Sequence, residues 1–174
     1  MRTMVPRLVV TQDNEFFFAA AREGRLAIQR CVDCHALRHP PGPCCPDCRS
    51  FNWDTVSASG RCTLHSYTVI HHPQDDGFDY PLIVGLVDLE EGTRLVADIA
   101  GIERDELEIG MVLEVGFAEH PHGEVLPQLR RPGGRTHDRP IRRWHPVAHS
   151  RPAAGPDDDR GGRHRLTGLR GRPS

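Results

Sequence analysis

Two Cys-x-x-Cys pairs, Cys31-Val32-Asp33-Cys34 and Cys45-Pro46-Asp47-Cys48, stand ten residues apart and constrain this chain more than any other feature. Two short knuckles of this kind deliver four thiolates to one tetrahedral Zn2+, since two intervening residues let both sulfurs of a pair reach the ion at about 2.3 Å. The loop between the pairs has only to reverse the chain, which Pro40, Pro41, Gly42 and Pro43 favour. Cys44 could replace Cys45 with one more spacer residue, but Cys45 keeps the x2 spacing and is the expected ligand beside Cys31, Cys34 and Cys48. Three other chemistries compete. Cys31 to His35 also spells the C-x-x-C-H haem-attachment signature, against which stand the second pair and the lack of an export signal in Met1 to Asn14. A thiol redox enzyme expects a single pair at a helix start after a strand. Catalytic zinc keeps one coordination position open and uses three protein ligands, whereas four thiolates close the shell. The metal is therefore expected to be structural.

Residues 13–23 read as a short helix, with Asp13 or Asn14 as a side-chain cap and Gly24 as the stop. Phe16, Phe17 and Phe18 follow one another on it. At about 100° per residue they span more of the helix surface than one docking stripe requires, so something else is expected to cover the remainder. Prolines exclude a continuous helix over 26–53, which suits two loops held by an ion. From Gly60 onward the pattern is β, with strands expected at 61–71, 82–89, 93–99, 111–118 and 124–130. A tight hairpin at Glu91-Gly92 joins the second and third, and Glu103 to Glu108 could form about one helical turn before the fourth. Five strands interrupted once, after the third, match an OB barrel. The expected fold is mainly β: an N-terminal helical segment (1–25), a zinc ribbon (26–55), a five-stranded OB barrel (56–131) and a disordered Arg-rich tail (132–174). No internal repeat is apparent.

Charge separates function classes. Residues 1–129 carry ten Arg against twenty Asp and Glu, and residues 130–174 twelve Arg against four Asp. An OB surface that tracks a phosphate backbone needs a basic groove with stacking aromatics, so the acidic barrel disfavours the alternative of a single-stranded nucleic-acid binder. No stretch is apolar enough to span a membrane, and a cytoplasmic protein is expected. Neither G-x-S-x-G nor a phosphate-cradling glycine loop is present, so no catalytic residue is assigned. His71-His72 point to opposite faces of a strand and cannot easily share an ion. His120 and His122 flank a turn. Asp75, Asp76 and Asp79 with Phe78 and Tyr80 read as an acidic exposed loop, and Cys62 as a small buried residue.

The run from Gly24 through Cys31-Val32-Asp33-Cys34, then Pro40-Pro41 and Cys45-Pro46-Asp47-Cys48, resembles the rubredoxin-like zinc-ribbon head of the acyl-CoA-associated OB-fold proteins. The likeness continues through Ser66-Tyr67-Thr68-Val69, Tyr80-Pro81, Ile109-Gly110-Met111 and Leu126-Pro127, and covers about residues 13–131. The resemblance implies a non-catalytic accessory subunit of a thiolase-like acyl-CoA enzyme, of the thiolase or sterol side-chain aldolase type. The zinc head and the helix, with Phe16, Phe17 and Phe18, would form the partner interface, and the barrel would lie near the acyl-CoA. On that reading Phe17→Asp abolishes partner binding and leaves zinc in place. Two departures stand out: the family commonly has Gly where His35 and Arg49 follow the knuckles, which puts some N–H···S hydrogen bonds in doubt, and a small residue where Cys62 stands.

Overall fold

The computed structural model describes residues 8–74, 78, 80–120 and 123–133. The tail after residue 133, together with Asp75, Asp76, Asp79 and His122, lies outside the described residues.

The chain opens with helix α1, Glu15–Arg22. Asn14 is its N-cap residue, but its side chain does not cap: Oδ1 accepts from the Thr11 N–H (2.7 Å) and Nδ2 donates to the Val9 carbonyl, fixing the approach segment instead. The stop falls where expected. Gly24 takes φ +69°, the Arg25 N–H reaches the Ala20 carbonyl and the Gly24 N–H the Ala21 carbonyl, a Schellman ending that only a left-handed residue permits. Phe17, Ala20 and Ala21 are buried at helical spacing, so one stripe faces the core.

Residues 26–58 form more than two loops. Strands β1 (Leu26–Cys31), β2 (Leu37–Arg38) and β3 (Trp53–Ala58) make an antiparallel sheet in the order β2-β1-β3. Four successive buried residues, Leu26 to Gln29, hide the alternation that marks a half-exposed strand. The expected division at 55/56 falls within β3.

The remaining strands are β4 (Arg61–Ile70), β5 (Leu82–Leu89), β6 (Arg94–Ile99), β7 (Val112–Glu119) and β8 (Val125–Arg130), each within two residues of its expected bounds. They close a barrel in the order β4-β5-β6-β8-β7, with β7 returning to β4. The pairing of β6 with β8 is parallel and the others antiparallel, the arrangement of a five-stranded Greek-key OB barrel. The interruption before β7 holds one 3-10 turn, Arg104–Glu106, closed by a capping box between Glu103 and Glu106. Along β5 inward and outward residues alternate strictly, and Gly85 faces in. A Cβ there would meet Ile99 Cδ1 and Leu129 Cδ1 at 2.9 Å, so the barrel interior has no room for one. Helix, ribbon and barrel share one core, in which Phe17, Leu26 and Ile28 join Leu64, Val87, Leu113 and Leu129.

Candidate metal centre

The end of β1 supplies Cys31, the turn after it Cys34, and the loop between β2 and β3 Cys45 and Cys48. All four sulfurs lie within 4.8 Å of one another, with Sγ···Sγ distances of 3.5 Å for Cys31–Cys48 and 3.6 Å for Cys34–Cys45. A tetrahedron with Zn–S bonds of 2.3 Å requires separations of about 3.8 Å, so the donor set fits that ion by size and by softness. Cys44 stands apart, its half-buried thiol 3.6 Å from the Cys45 carbonyl.

The two knuckles are a structural repeat. Fourteen residues separate equivalent positions. The Cys31 N–H reaches the Ala36 carbonyl (2.9 Å) as Cys45 N–H reaches Ser50 (2.8 Å), and the His35 N–H reaches the Cys31 carbonyl (3.0 Å) as Arg49 reaches Cys45 (2.9 Å). Backbone N–H groups of Asp33 and Cys34 point at the Cys31 sulfur, those of Asp47 and Cys48 at the Cys45 sulfur, and those of Ala36 and Ser50 at Cys34 and Cys48. The repeat is written mostly in hydrogen bonds; only C-x-D-C is common to both sequences. His35 and Arg49 both take φ +63°, the left-handed conformation that explains why glycine suits this position. The N–H···S bonds survive the substitution, so the doubt raised by these residues is removed.

These donors prepare the sulfurs for a cation. Cys31 is drawn down to about 6, chiefly by the Cys34 N–H and against the effect of burial, with help from the Asp33 N–H and the neighbouring thiols. The Cys48 N–H likewise leads in lowering Cys45. The other two resist. The Ser50 N–H pulls Cys48 down, but the thiols of Cys31, Cys34 and Cys45 together with burial push it up to about 12; the Ala36 N–H and the Cys48 thiol pull Cys34 down, but burial and the thiols of Cys45 and Cys31 leave it raised. Two negative sulfurs oppose a third at this range, and a dication is what lets all four ionise.

Gln29, which sequence reasoning passed over, ties the second knuckle loop to β1. It is 1% exposed, and its Oε1 accepts from Arg38 Nε (2.8 Å) and the Gly42 N–H (2.9 Å). A polar residue directly after the apolar run Leu26-Ala27-Ile28 is the signal that could have found it. We expect Cys45→Ser to lower bound zinc far more than Cys44→Ser, measured by elemental analysis of purified protein; equal losses would contradict the assignment of Cys45.

The aromatic trio is divided by the fold. Phe17 is only 7% exposed and belongs to the chain's own core, with its ring 5.0 Å from that of His39. Phe16 lies 5.1 Å from Trp53, and Phe18 meets Phe17 edge-on at 5.3 Å. Much of the surplus aromatic surface is thus covered from within. Phe17, Phe18 and His39 also line an apolar cleft of about 350 Å3 with Val84, Ala97 and Leu126, and burial pushes the His39 imidazole down towards neutrality. Phe78 and His120 lie at the same cleft, and His71 and His72 are exposed. Cys62 is buried and its thiol is pushed up to about 11, first by burial and then by Glu114 and Glu91, which leaves it inert. No helix among the described residues is long and apolar enough to cross a membrane.

Comparison with known proteins agrees with this geometry. The ChsH2 rubredoxin-like zinc ribbon domain matches residues 18–54 and the ChsH2 C-terminal OB-fold domain residues 55–118. A "Probable enoyl-CoA hydratase alpha subunit" of Thermomonospora curvata is 49% identical over 129 residues, 74% of this chain; the chain spans only 40% of that protein's length. A "DUF35 domain-containing scaffold protein" of Methanothermobacter thermautotrophicus is 36% identical over 90 residues, 51% of this chain and 68% of that protein. Among solved structures, a chain of the "Ltp2-ChsH2(DUF35) aldolase" is 50% identical with a TM-score of 0.69, over 72% of this chain and 98% of that one. The chain belongs to the DUF35 family, as a ChsH2-type protein that joins a rubredoxin-like zinc ribbon to an OB-fold domain.

Proposed function

We propose that this chain is a non-catalytic accessory subunit that binds a thiolase-like acyl-CoA enzyme, with one structural Zn2+ held by Cys31, Cys34, Cys45 and Cys48. The observation that carries the reading is its 50% identity over 98% of the ChsH2(DUF35) chain of an aldolase. Four thiolates around one point leave the metal no place for water or substrate, which supports a scaffolding role over a chemical one. The acyl-CoA contact is assigned to the apolar cleft beside α1, whose volume lies in the range that small-ligand sites occupy. Nucleic acid is a poorer fit. The three arginines on barrel strands, Arg61, Arg94 and Arg130, are each paired with a carboxylate, of Glu90, Asp88 and Glu114, and so are already neutralised. Co-expression with Ltp2, the other named component of that aldolase, tests the proposal. A stable complex on gel filtration is expected, and separate elution of the two chains would overturn it.

A further inference from the structure

The free edge of β3 is an unpaired run of main chain. In the ladder with β1, residue numbers of partners sum to 84, from Leu26↔Ala58 to Cys31↔Trp53. The Val32 N–H bonds to the Asn52 carbonyl on the same register, whereas the Cys31 N–H turns the other way, to Ala36 just before β2. Even-numbered residues of β1 therefore bond towards β3, and Asn52, Asp54, Val56 and Ala58 bond back. Trp53, Thr55 and Ser57 aim their N–H and C=O groups outward. Among the described residues no hydrogen bond reaches any of these six groups.

The other sheet edges among the described residues are protected. The barrel is closed, and β2 is two residues long with Pro40 and Pro41 just after it. By contrast β3 runs for six residues, about 20 Å, with no lysine, proline or bulge. Its one charge, Asp54, is held by Arg30 Nε at 2.8 Å, and the side chains of Thr55 and Ser57 are exposed and small. Resting on the accessory-subunit reading above, we propose that β3 receives an extended strand of the partner enzyme by β-strand addition. Alternating donors and acceptors along one line are matched by main chain and by little else. A second copy of this chain fits less well. The register that uses all three outward residues of each copy sets Thr55 opposite Thr55 and brings the two Asp54 carboxylates to diagonal positions on one face.

Amide hydrogen exchange on the complex with Ltp2 tests this. In the free chain Trp53, Thr55 and Ser57 should exchange fast and Asp54 and Val56 slowly; in the complex the three outward amides should slow at least tenfold. Thr55→Pro removes one outward N–H from an edge position that tolerates proline, so it should keep zinc and melting temperature while weakening binding about tenfold or more, and Thr55→Val should bind normally. Unchanged exchange of the outward amides in a formed complex would overturn the edge proposal alone. No complex at all would overturn the partner reading and this proposal together. Protection of these amides in a dimer of the isolated chain would assign the edge to a second copy instead, against the proposal.

Discussion

Removing the metal with a strong chelator is expected to melt residues 31–52 while leaving the barrel folded. Between Cys31 and Asn52 only Cys31 and Cys45 are buried, so this stretch has no apolar core of its own. Segments below about 40 residues need a metal or disulfides to fold, and structural Zn2+ in small peptides contributes roughly 10–16 kcal/mol, comparable to or above the total stability of most domains. The N–H···S bonds cannot replace it, since without the cation two of the four sulfurs are driven towards the thiol form. The barrel differs: Leu64, Val87, Leu95, Leu113 and Leu129 are all at most 2% exposed and owe nothing to the knuckles. The expected result is fast amide exchange at 31–36 and 45–50 after chelation, with slow exchange persisting in β5 and β7. Cys31→Ser should reproduce it. Knuckle amides that stay protected in metal-free protein would show that something other than the ion holds them.

How much of this was written in the sequence depends on the kind of signal. The barrel strands were legible because residues such as Ile83, Val87 and Leu89 alternate with outward positions, and because turn residues such as Gly92 punctuate them. The helix stop was legible because Gly24 has one physical reason to be there. The metal site was legible from spacing alone. The ribbon strands were not, since β1 is buried on both faces over Leu26 to Gln29 and β2 has only two residues. The two knuckles were legible as like turns, with His35 and Arg49 in matching places, but the equivalence of Ala36 and Ser50 was not, because their backbone hydrogen bonds place no demand on those side chains. The capping role of Asn14 failed for a related reason, because a side chain able to cap can equally bond backwards, and Thr11 offered it a donor at 2.7 Å.

Phe17, expected from the resemblance at a partner interface, is buried in the chain's own core, and replacing it should destabilise the isolated chain. Three adjacent aromatics leave open which of them faces in; the structure settles it through Ala20 and Ala21, which share the buried face with Phe17 and leave Phe16 and Phe18 to either side. Phe17 sits where helix, ribbon and barrel meet, in the same cluster as Leu26, Ile28 and Leu129, and against the ring of His39. Truncating a buried phenylalanine costs about 3–5 kcal/mol, through lost transfer energy and the cavity left behind. In a domain of this size that lowers the melting temperature by about 10–20 °C. Phe17→Asp is harsher still, because it puts a carboxylate into that apolar cluster. Phe18→Ala, at a half-buried position, should cost less. Thermal denaturation of the chain without any partner separates the possibilities: a large drop for Phe17→Ala places its role inside the fold, whereas wild-type melting combined with lost Ltp2 binding would return Phe17 to the interface.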